Sequence, residues 1–241
     1  MKRVLALILG LLLACTAQAE TVIAAQDPWP PFIQQGADSG LSIALLKAAM
    51  KRGGYDIEFK LMPWNRALNE VKNGKLDLLP GAWYTDERSN YLIYSDPYVQ
   101  NSIKFIKKKN DPFEYDGLKS LSGKKVGIVS GYGYGDDFSK ADNFSRPEAG
   151  SVEANIKKLL SGRIDLTLED EIVAKSVIKK SGLDLGAVGF TAQGLSVNNL
   201  HVATGKANPR GQKIIDAYNK GLAAIKADGT YDQILAEYGV K

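Results

Sequence analysis

The chain has 241 residues, of which 44% are hydrophobic and 24% are charged, so it is long enough for one large domain or two small ones with substantial cores. The formal net charge is +4 and would fall to about +2 without Lys2 and Arg3, which gives no support for nucleic-acid binding. One cysteine and one histidine offer neither a disulfide nor a cluster of metal ligands.

Residues 1–19 have the pattern of a cleaved secretory signal peptide. Two basic residues precede an apolar run that ends at Ala14, and the small-residue site Ala17–Ala19 follows. The run is shorter than the roughly 20 apolar residues of a transmembrane helix. Export and cleavage after Ala19 are therefore expected. Lipid anchoring at Cys15 is the less favoured alternative, because Leu13 is larger than the residue that usually stands there in a lipobox.

The first half of the chain alternates predicted strands and helices, read from the spacing of its apolar residues. Ser42 is the expected N-cap of the first helix, and Gly53 is its expected end. The predicted elements are, in order, a strand at Thr21–Ala25, that helix, a strand at Ile57–Leu61, a helix from Trp64 to Gly74, a buried strand at Leu76–Leu79 and a turn at Thr85–Arg88.

The second half continues the alternation, which predicts an α/β fold with largely parallel sheets. The predicted elements are, in order, a strand at Lys125–Val129, the glycine-rich segment Gly131–Gly135, a helix capped by Ser151, a strand at Leu166–Leu168, a helix that opens at Glu171, a helix through Ile214–Ile225 and a last helix at Tyr231–Tyr238.

A short motif occurs once in each half of the chain. V-x-x-G-K-L-D-L at Val71–Leu78 matches L-x-x-G-R-I-D-L at Leu159–Leu166. Each copy reads as the end of a helix, a glycine stop and the entry to a strand. We interpret the motif as one substructure present in each of two lobes, not as a solenoid repeat.

Several segments together resemble one family of proteins. Trp64–Tyr98 contains T-x-x-R at Thr85–Arg88 and S-D-P-Y at its end. Asp27–Phe32 and Ala227–Tyr231 provide two shorter matches. These segments resemble the periplasmic solute-binding proteins of family 3, which serve ABC importers of polar amino acids. The resemblance covers essentially the whole chain after the leader.

The resemblance implies the type II periplasmic binding protein fold, in which two α/β lobes are joined by a two-strand hinge. Lobe 1 would be discontinuous and comprise residues 20–106 and 200–241, and lobe 2 would comprise residues 107–199. The hinge strands would lie near Ile103–Lys107 and Leu200–Thr204.

The resemblance also assigns two charged anchors for a ligand. Arg88, the arginine of T-x-x-R, would bind the ligand carboxylate, because a planar fork of donors matches that group. Asp170, the last aspartate of G-R-I-D-x-x-x-x-D, would bind the ligand ammonium. Each has a simpler alternative. Arg88 could form a surface ion pair with Asp86 or Glu87, and Asp170 could be an N-cap at a strand-to-helix turn.

Three tryptophans stand where the family places pocket walls, namely Trp29, Trp64 and Trp83. Ordinary core packing explains any one of them equally well. Trp83 replaces a small hydroxyl residue of many relatives, so a more apolar or differently shaped pocket is expected. Gly81 and Tyr132 complete the predicted lining.

The glycine-rich segment Gly131–Gly135 does not match a phosphate-binding loop. No Gly-Lys-Ser/Thr follows it, and Asp136 replaces the third glycine of a dinucleotide fingerprint. Its expected use is to offer backbone N–H groups near Gly131 and Gly133 to a carboxylate at a helix N-terminus. Gly133 stands where many relatives have threonine, which leaves only a backbone contact there.

The expected function is binding of a small zwitterion, an amino acid by preference, and not catalysis. The expected partner is an inner-membrane ABC permease, and the protein is expected to be a periplasmic monomer without a cofactor. His201, the single histidine, lies on a predicted hinge strand, and the sequence after the leader has no cysteine nucleophile. Two alternatives remain open. One is a sensory binding protein for a receptor kinase, and the other is an enzyme of the cyclohexadienyl dehydratase type on the same fold.

Overall fold

The computed structural model describes residues 19–35 and 39–240, so the predicted leader and Cys15 lie outside the described residues. None of the described helices has the length and apolar character needed to cross a membrane. The strands are β1 (Glu20–Gln26), β2 (Tyr55–Leu61), β3 (Leu79–Trp83), β4 (Leu92–Tyr94), β5 (Val99–Lys108), β6 (Val126–Val129), β7 (Glu148–Ala149), β8 (Leu166–Asp170) and β9 (Val188–Gly205). The helices are α1 (Leu41–Arg52), α2 (Trp64–Lys72), α3 (Asp86–Ser89), α4 (Asp136–Lys140), α5 (Val152–Leu160), α6 (Glu171–Lys180), α7 (Gly211–Ala227) and α8 (Thr230–Glu237).

Two sheets carry the fold. β1 and β2 form a parallel pair, and the other strands form a seven-stranded sheet in the order β3-β9-β5-β8-β6-β7, with β4 also paired to β9. The first part of β9 pairs antiparallel with β5, and from Leu200 onward β9 pairs with β3 and β4. β5 and β9 therefore connect two α/β lobes, as the predicted fold class requires. The residue boundaries of the lobes stay a prediction.

The first lobe contains β1 to β4 with α1, α2, α3, α7 and α8, and the second contains β6 to β8 with α4 to α6. Helices α1 and α7 pack closely in the first lobe. A Cβ added at Gly221 would lie 2.0 Å from the carbonyl oxygen of Ala49, so only glycine permits this approach. The fully buried Leu46 and Tyr218 belong to the core around this contact.

The repeated motif has the same structural role in both lobes. Asp77 accepts a hydrogen bond from the backbone N–H of Ile23 at 2.9 Å, and Asp165 accepts one from that of Lys125 at 2.7 Å. In each lobe a carboxylate thus ties the segment after a helix to a neighbouring parallel strand. The interpretation of one substructure per lobe is confirmed.

The predicted N-cap of the first helix is wrong. α1 begins at Leu41 after Gly40, and no side chain caps it. Ser42 lies inside the first turn and is buried. Its hydroxyl is hydrogen-bonded to the hydroxyl of Tyr98 at 2.7 Å, so a core partner takes the place of the capping bond.

The strand predicted at Leu76–Leu79 is displaced along the chain. β3 starts at Leu79, and only Leu78 before it forms an isolated parallel bridge, with Ala24. The N–H groups of Asp77 and Leu78 both donate to the carbonyl of Ile23. The segment just before β3 is therefore hydrogen-bonded to β1 and continues into β3. The other predicted strands and helices are confirmed to within a few residues. The expectation of largely parallel sheets is wrong, because β3, β4 and β5 pair antiparallel with β9, and β5 pairs antiparallel with β8.

Candidate functional site

A small cavity lies between the two lobes, at the ends of β1, β3 and β6. The empty space in it, including the part open to solvent, is about 270 Å³. The centre of a water-sized sphere can reach only about 20 Å³ of this space. Seven of the nine predicted site residues lie in its lining, together with two that the sequence did not indicate. The lining residues are Gln26, Trp29, Trp64, Gly81, Trp83, Arg88, Tyr132, Gly133 and Leu200.

Arg88 brings a cation to this cavity although it is only 4% exposed. Thr85 caps α3 and accepts a hydrogen bond from the Arg88 N–H at 3.1 Å, which fixes the backbone there. The guanidinium donates to the carbonyl of Trp83 at 3.0 Å and to that of Gly131 at 2.7 Å, so it contacts both lobes. Burial lowers the pKa of Arg88, but an arginine remains charged at neutral pH. This burial excludes the alternative of an exposed ion pair.

Gly133 makes room for this guanidinium. A Cβ at position 133 would lie 2.8 Å from the methyl carbon of Thr85 and 3.0 Å from Nη1 of Arg88. A threonine side chain, common there in the family, would therefore collide with the arginine in its present position. The glycine is a steric requirement of this site.

Gly131 contributes its carbonyl oxygen to the site, and the expected use of its N–H group for a ligand carboxylate stays a prediction. That oxygen accepts from Arg88 and, at 2.8 Å, from the indole N–H of Trp64. The residue has φ +75°, and a Cβ there would lie 1.8 Å from Oδ1 of Asn65. The helix whose N-terminus was expected to serve a carboxylate begins only at Asp136 and has five residues.

The three tryptophans both line the cavity and pack in the core. Trp29 and Trp83 meet edge to face at 5.6 Å between ring centroids, and Tyr132 meets Trp83 at 5.9 Å. The indole N–H of Trp83 donates to Oδ1 of Asn101 at 2.9 Å, and that of Trp29 donates to Oε1 of Glu169 at 3.2 Å. Since Trp29 and Glu169 belong to different lobes, this last bond crosses the cleft.

Asp170 lies outside the lining of this cavity and is 2% exposed. Its Oδ1 accepts from the N–H groups of Ile172 and Val173, each at 3.0 Å, and so caps α6. Its Oδ2 accepts from Asn101 at 3.2 Å and from the N–H of Ser102 at 3.1 Å. Burial raises the pKa of Asp170, and these four bonds oppose the rise. The N-cap alternative is confirmed, and a ligand role stays a prediction.

Glu169 is a buried carboxylate that the sequence reasoning missed. It is fully buried, and its Oε1 accepts from Trp29 and from the N–H of Asp170 at 2.9 Å. Its Oε2 is buried and has no hydrogen-bond partner among the described residues. Burial, helped by the neighbouring charges of Asp170 and Asp27, raises the pKa of Glu169 to about 8.

Asp27 is a second missed carboxylate, and it follows β1 directly. Its Oδ2 accepts from the hydroxyl of Tyr132 at 3.2 Å. Its Oδ1 is buried and, within the described part of the chain, unpaired. Burial raises the pKa of Asp27 to about 6. Asp27 and Tyr132 come from different lobes, so this bond also crosses the cleft.

The described residues contain no group of three His, Cys, Asp or Glu side chains that could hold a metal ion. His201 lies on β9, where its Nδ1 is hydrogen-bonded to the carbonyl of Ser95 at 2.7 Å and its ring meets Tyr94. Burial lowers the pKa of His201. This histidine has a structural environment away from the cavity.

The chain is similar to known proteins over nearly all of its length. A "Probable histidine-binding protein" from Neisseria gonorrhoeae is 27% identical over 89% of this chain and 80% of that protein. An arginine-binding periplasmic protein from Mannheimia haemolytica is 26% identical over 94% of this chain and 95% of that protein. An ancestral arginine-binding protein bound to arginine has a similar solved structure, with a TM-score of 0.77, 27% identity, and coverage of 92% of this chain and 99% of that one.

The structural similarity agrees with the two-lobed fold predicted from the sequence. The model of one family, described as bacterial extracellular solute-binding proteins, family 3, matches residues 21–241. The chain therefore belongs to the bacterial extracellular solute-binding proteins of family 3.

Proposed function

We propose that this protein captures an amino acid in the cavity between its lobes and delivers it to an ABC importer. The observation that supports this most directly is the buried Arg88, whose guanidinium lies in a cavity walled by aromatic rings and contacts both lobes. A desolvated guanidinium fork is suited to a carboxylate, which is common to all amino acids. The arginine-, histidine- and cystine-binding relatives support the same class of ligand.

The proposed binding mode places the ligand carboxylate on Arg88. The carbonyls of Trp83 and Gly131 now accept from its guanidinium. A guanidinium has five N–H donors, so a carboxylate would accept from others of them in stronger, charge-assisted hydrogen bonds. The ammonium is proposed to face Asp170, as the family resemblance implies. Because four donors already surround the Asp170 carboxylate, it would act there mainly through its negative charge.

The remaining parts of the proposal follow from the family. Lobe 1 (residues 20–106 and 200–241) and lobe 2 (residues 107–199) would close on the ligand by a hinge motion about β5 and β9. The protein would be exported with cleavage after Ala19, act as a periplasmic monomer and dock on an inner-membrane permease. The ligand would be bound and released unchanged. Mass spectrometry of the mature protein should therefore show an N-terminus at Glu20, and ligand recovered after incubation should be intact.

Calorimetry with L-arginine and agmatine tests the carboxylate role, because agmatine is arginine without its carboxylate. Loss of one partner of a desolvated charge pair costs about 2–5 kcal/mol, which is roughly 30-fold to several thousand-fold in affinity. Arg88→Met should weaken L-arginine binding on that scale and leave agmatine binding nearly unchanged. Arg88→Lys should fall between the two, because it keeps the charge and loses the fork.

The matched control is Arg66→Met, which removes an exposed arginine from α2 near Trp64. It should bind L-arginine like the unaltered protein. If Arg88→Met binds L-arginine as well as Arg66→Met does, Arg88 is only a structural bridge between lobes. If no amino acid of a complete set binds the unaltered protein, the proposed function itself is wrong.

A further inference from the structure

One backbone carbonyl of the second lobe accepts hydrogen bonds from two side chains of the first. Gly131 follows β6, whereas Trp64 begins α2 and Arg88 lies in α3. The oxygen of Gly131 accepts from the indole N–H of Trp64 at 2.8 Å and from Nη2 of Arg88 at 2.7 Å. A carbonyl oxygen has two lone pairs, so the opposite lobe uses its full accepting capacity. This carbonyl therefore joins the two lobes at one point.

The backbone at Gly131 permits this close approach. Its φ of +75° lies in the left-handed region that favours glycine, and a Cβ there would lie 1.8 Å from Oδ1 of Asn65 in α2. The amide of Asn65 donates to the hydroxyl of Ser130 at 3.2 Å, beside the same turn. The first turn of α2 thus meets the segment after β6 directly, and a side chain at position 131 would force the two apart.

Trp64 also contacts Arg88 with its ring. The guanidinium carbon lies 5.1 Å from the ring centroid, within the range of a cation–π interaction. The ring of Tyr132, in the second lobe, meets that of Trp64 edge to face at 5.9 Å between centroids. Trp64 thus contacts the guanidinium through its ring and the opposite lobe through its N–H group, which makes it a positioning residue for Arg88.

The bonds to Gly131 differ in kind from the other aromatic contacts across the cleft. The indole N–H of Trp29 donates to Glu169 at 3.2 Å. The hydroxyl of Tyr132 donates to Asp27, also at 3.2 Å. Those carboxylates change with protonation, whereas a backbone carbonyl and an indole N–H do not titrate, and an arginine stays charged at neutral pH. Both partners of each bond to Gly131 are protein groups, so these bonds need no ligand to form.

We infer that the hydrogen bonds from Trp64 and Arg88 to the Gly131 carbonyl form a latch that closes the cleft in the ligand-free protein. The protein would then exchange between a closed form, in which the latch is made, and an open form that admits the ligand. A ligand that needs the closed form binds with an apparent Kd equal to its intrinsic Kd divided by the closed fraction. The latch would therefore tighten the binding of every ligand by one factor and leave selectivity unchanged. This gain in affinity rests on the proposed function, whereas closure of the ligand-free protein does not.

Trp64→Phe tests the latch because it removes the N–H donor and keeps an aromatic ring beside Arg88. Loss of one hydrogen bond of this kind should lower the ratio of closed to open protein about 3- to 10-fold. Asn143→Ala is the matched control. It also removes a side-chain N–H bond of 2.8 Å to a backbone carbonyl, but that bond joins Asn143 to Leu118 within the second lobe. It should leave the ratio unchanged.

Pulsed electron paramagnetic resonance between two spin labels measures this ratio in the ligand-free protein. Residues 20–241 contain no cysteine, so Asn90→Cys and Ser139→Cys provide unique labelling sites. Both positions are exposed, and they line the groove between the lobes from different lobes. We expect a short distance to be populated in the unaltered protein and a longer one to be enriched in Trp64→Phe. A single long distance in the unaltered protein, or an unchanged distribution in Trp64→Phe, would overturn the latch.

Calorimetry with L-arginine and L-histidine, the ligands named for two relatives, gives a second readout. Trp64→Phe should weaken the binding of both by the same factor, up to about 10-fold, and Asn143→Ala should weaken neither. Loss of affinity for one of them alone would overturn the latch, because Trp64 would then act by contacting the ligand side chain. If neither compound nor any other amino acid binds the unaltered protein, the proposed function is wrong, and the distances in the ligand-free protein still decide on the latch.

Discussion

Glu169→Gln should change how the stability of the protein depends on pH. In the folded protein burial raises the pKa of Glu169 from 4.5 to about 8. The folded state therefore holds a proton that the unfolded state loses near pH 4.5. The stability that this proton confers is complete below about pH 4.5 and is lost progressively as the pH rises to about 8.

The size of the effect follows from the width of this interval. Each pH unit between the two pKa values costs about 1.4 kcal/mol of unfolding free energy. The interval from 4.5 to about 8 thus gives an upper limit on the order of 5 kcal/mol, a large share of the 5–15 kcal/mol typical of a folded domain. The measured effect is smaller than this upper limit if the cleft opens before either lobe unfolds. Opening breaks the contact between Glu169 and Trp29 and hydrates the Glu169 carboxylate while both lobes stay folded.

Urea denaturation at pH 5, 6, 7 and 8, followed by tryptophan fluorescence and by circular dichroism, measures this dependence. Glutamine resembles the protonated acid, so Glu169→Gln should have a flatter profile and exceed the unaltered protein in stability at pH 8. Asp27→Asn should remove a second loss of stability that lies lower, between pH 3.8 and about 6. Glu171→Gln is the control, because the pH dependence of stability that Glu171 contributes has the opposite sign. Bonds from Lys104 and Lys175 lower the pKa of Glu171, so the stability it contributes is lost as the pH falls. A Glu169→Gln profile parallel to that of the unaltered protein would refute the reasoning.

Two further predictions concern positions where the structure shows an unusual contact. Gly133→Ala should push Arg88 from its place and weaken ligand binding by about 1–3 kcal/mol in a calorimetric titration. Gly150→Ala is the control and should bind normally, because a Cβ at position 150 meets open space. Equal affinity of the two variants would show that Arg88 moves freely. Asp170→Ala should lower the free energy of unfolding in urea by about 2–4 kcal/mol, because it removes a helix cap and leaves the Ser102 N–H without its acceptor. Ser151→Ala is the control. It removes only the cap of α5 and should cost about 1 kcal/mol of unfolding free energy. If Asp170→Ala costs no more than Ser151→Ala, the bonds of Asp170 to β5 contribute nothing to stability.

Most strands and helices, and most residues of the cavity lining, could be predicted from the sequence. Local patterns placed the strands and helices, and family motifs identified Arg88 and the three tryptophans, all of which line one cavity. The errors arose where tertiary contacts override local preference. Ser42 resembles an N-cap in the sequence, but its partner is Tyr98, 56 residues away, which no local pattern could show.

The missed carboxylates show a different limit. Glu169 owes its environment to Trp29, 140 residues earlier in the chain, and Asp27 owes its partner to Tyr132, 105 residues later. A signal was nevertheless present. Glu169 ends the apolar run Leu166-Thr-Leu168 of a strand that is buried at every position, and a carboxylate is rarely found in such a strand without a partner. The motif match at Asp170 drew attention to the neighbouring residue instead.

The two departures from the family pattern, Trp83 and Gly133, are parts of one arrangement. Trp83 brings a large ring to the cavity and offers its backbone carbonyl to Arg88, and Gly133 leaves the space into which the guanidinium fits. The backbone carbonyls of Trp83 and Gly131 therefore help to position the arginine. A guanidinium has five N–H donors and these two bonds use two of them, so a ligand carboxylate need not displace the carbonyls. Since a ligand shifts a conformational equilibrium only by its differential affinity, a carboxylate would favour the closed form only as far as it binds Arg88 better there than in the open form.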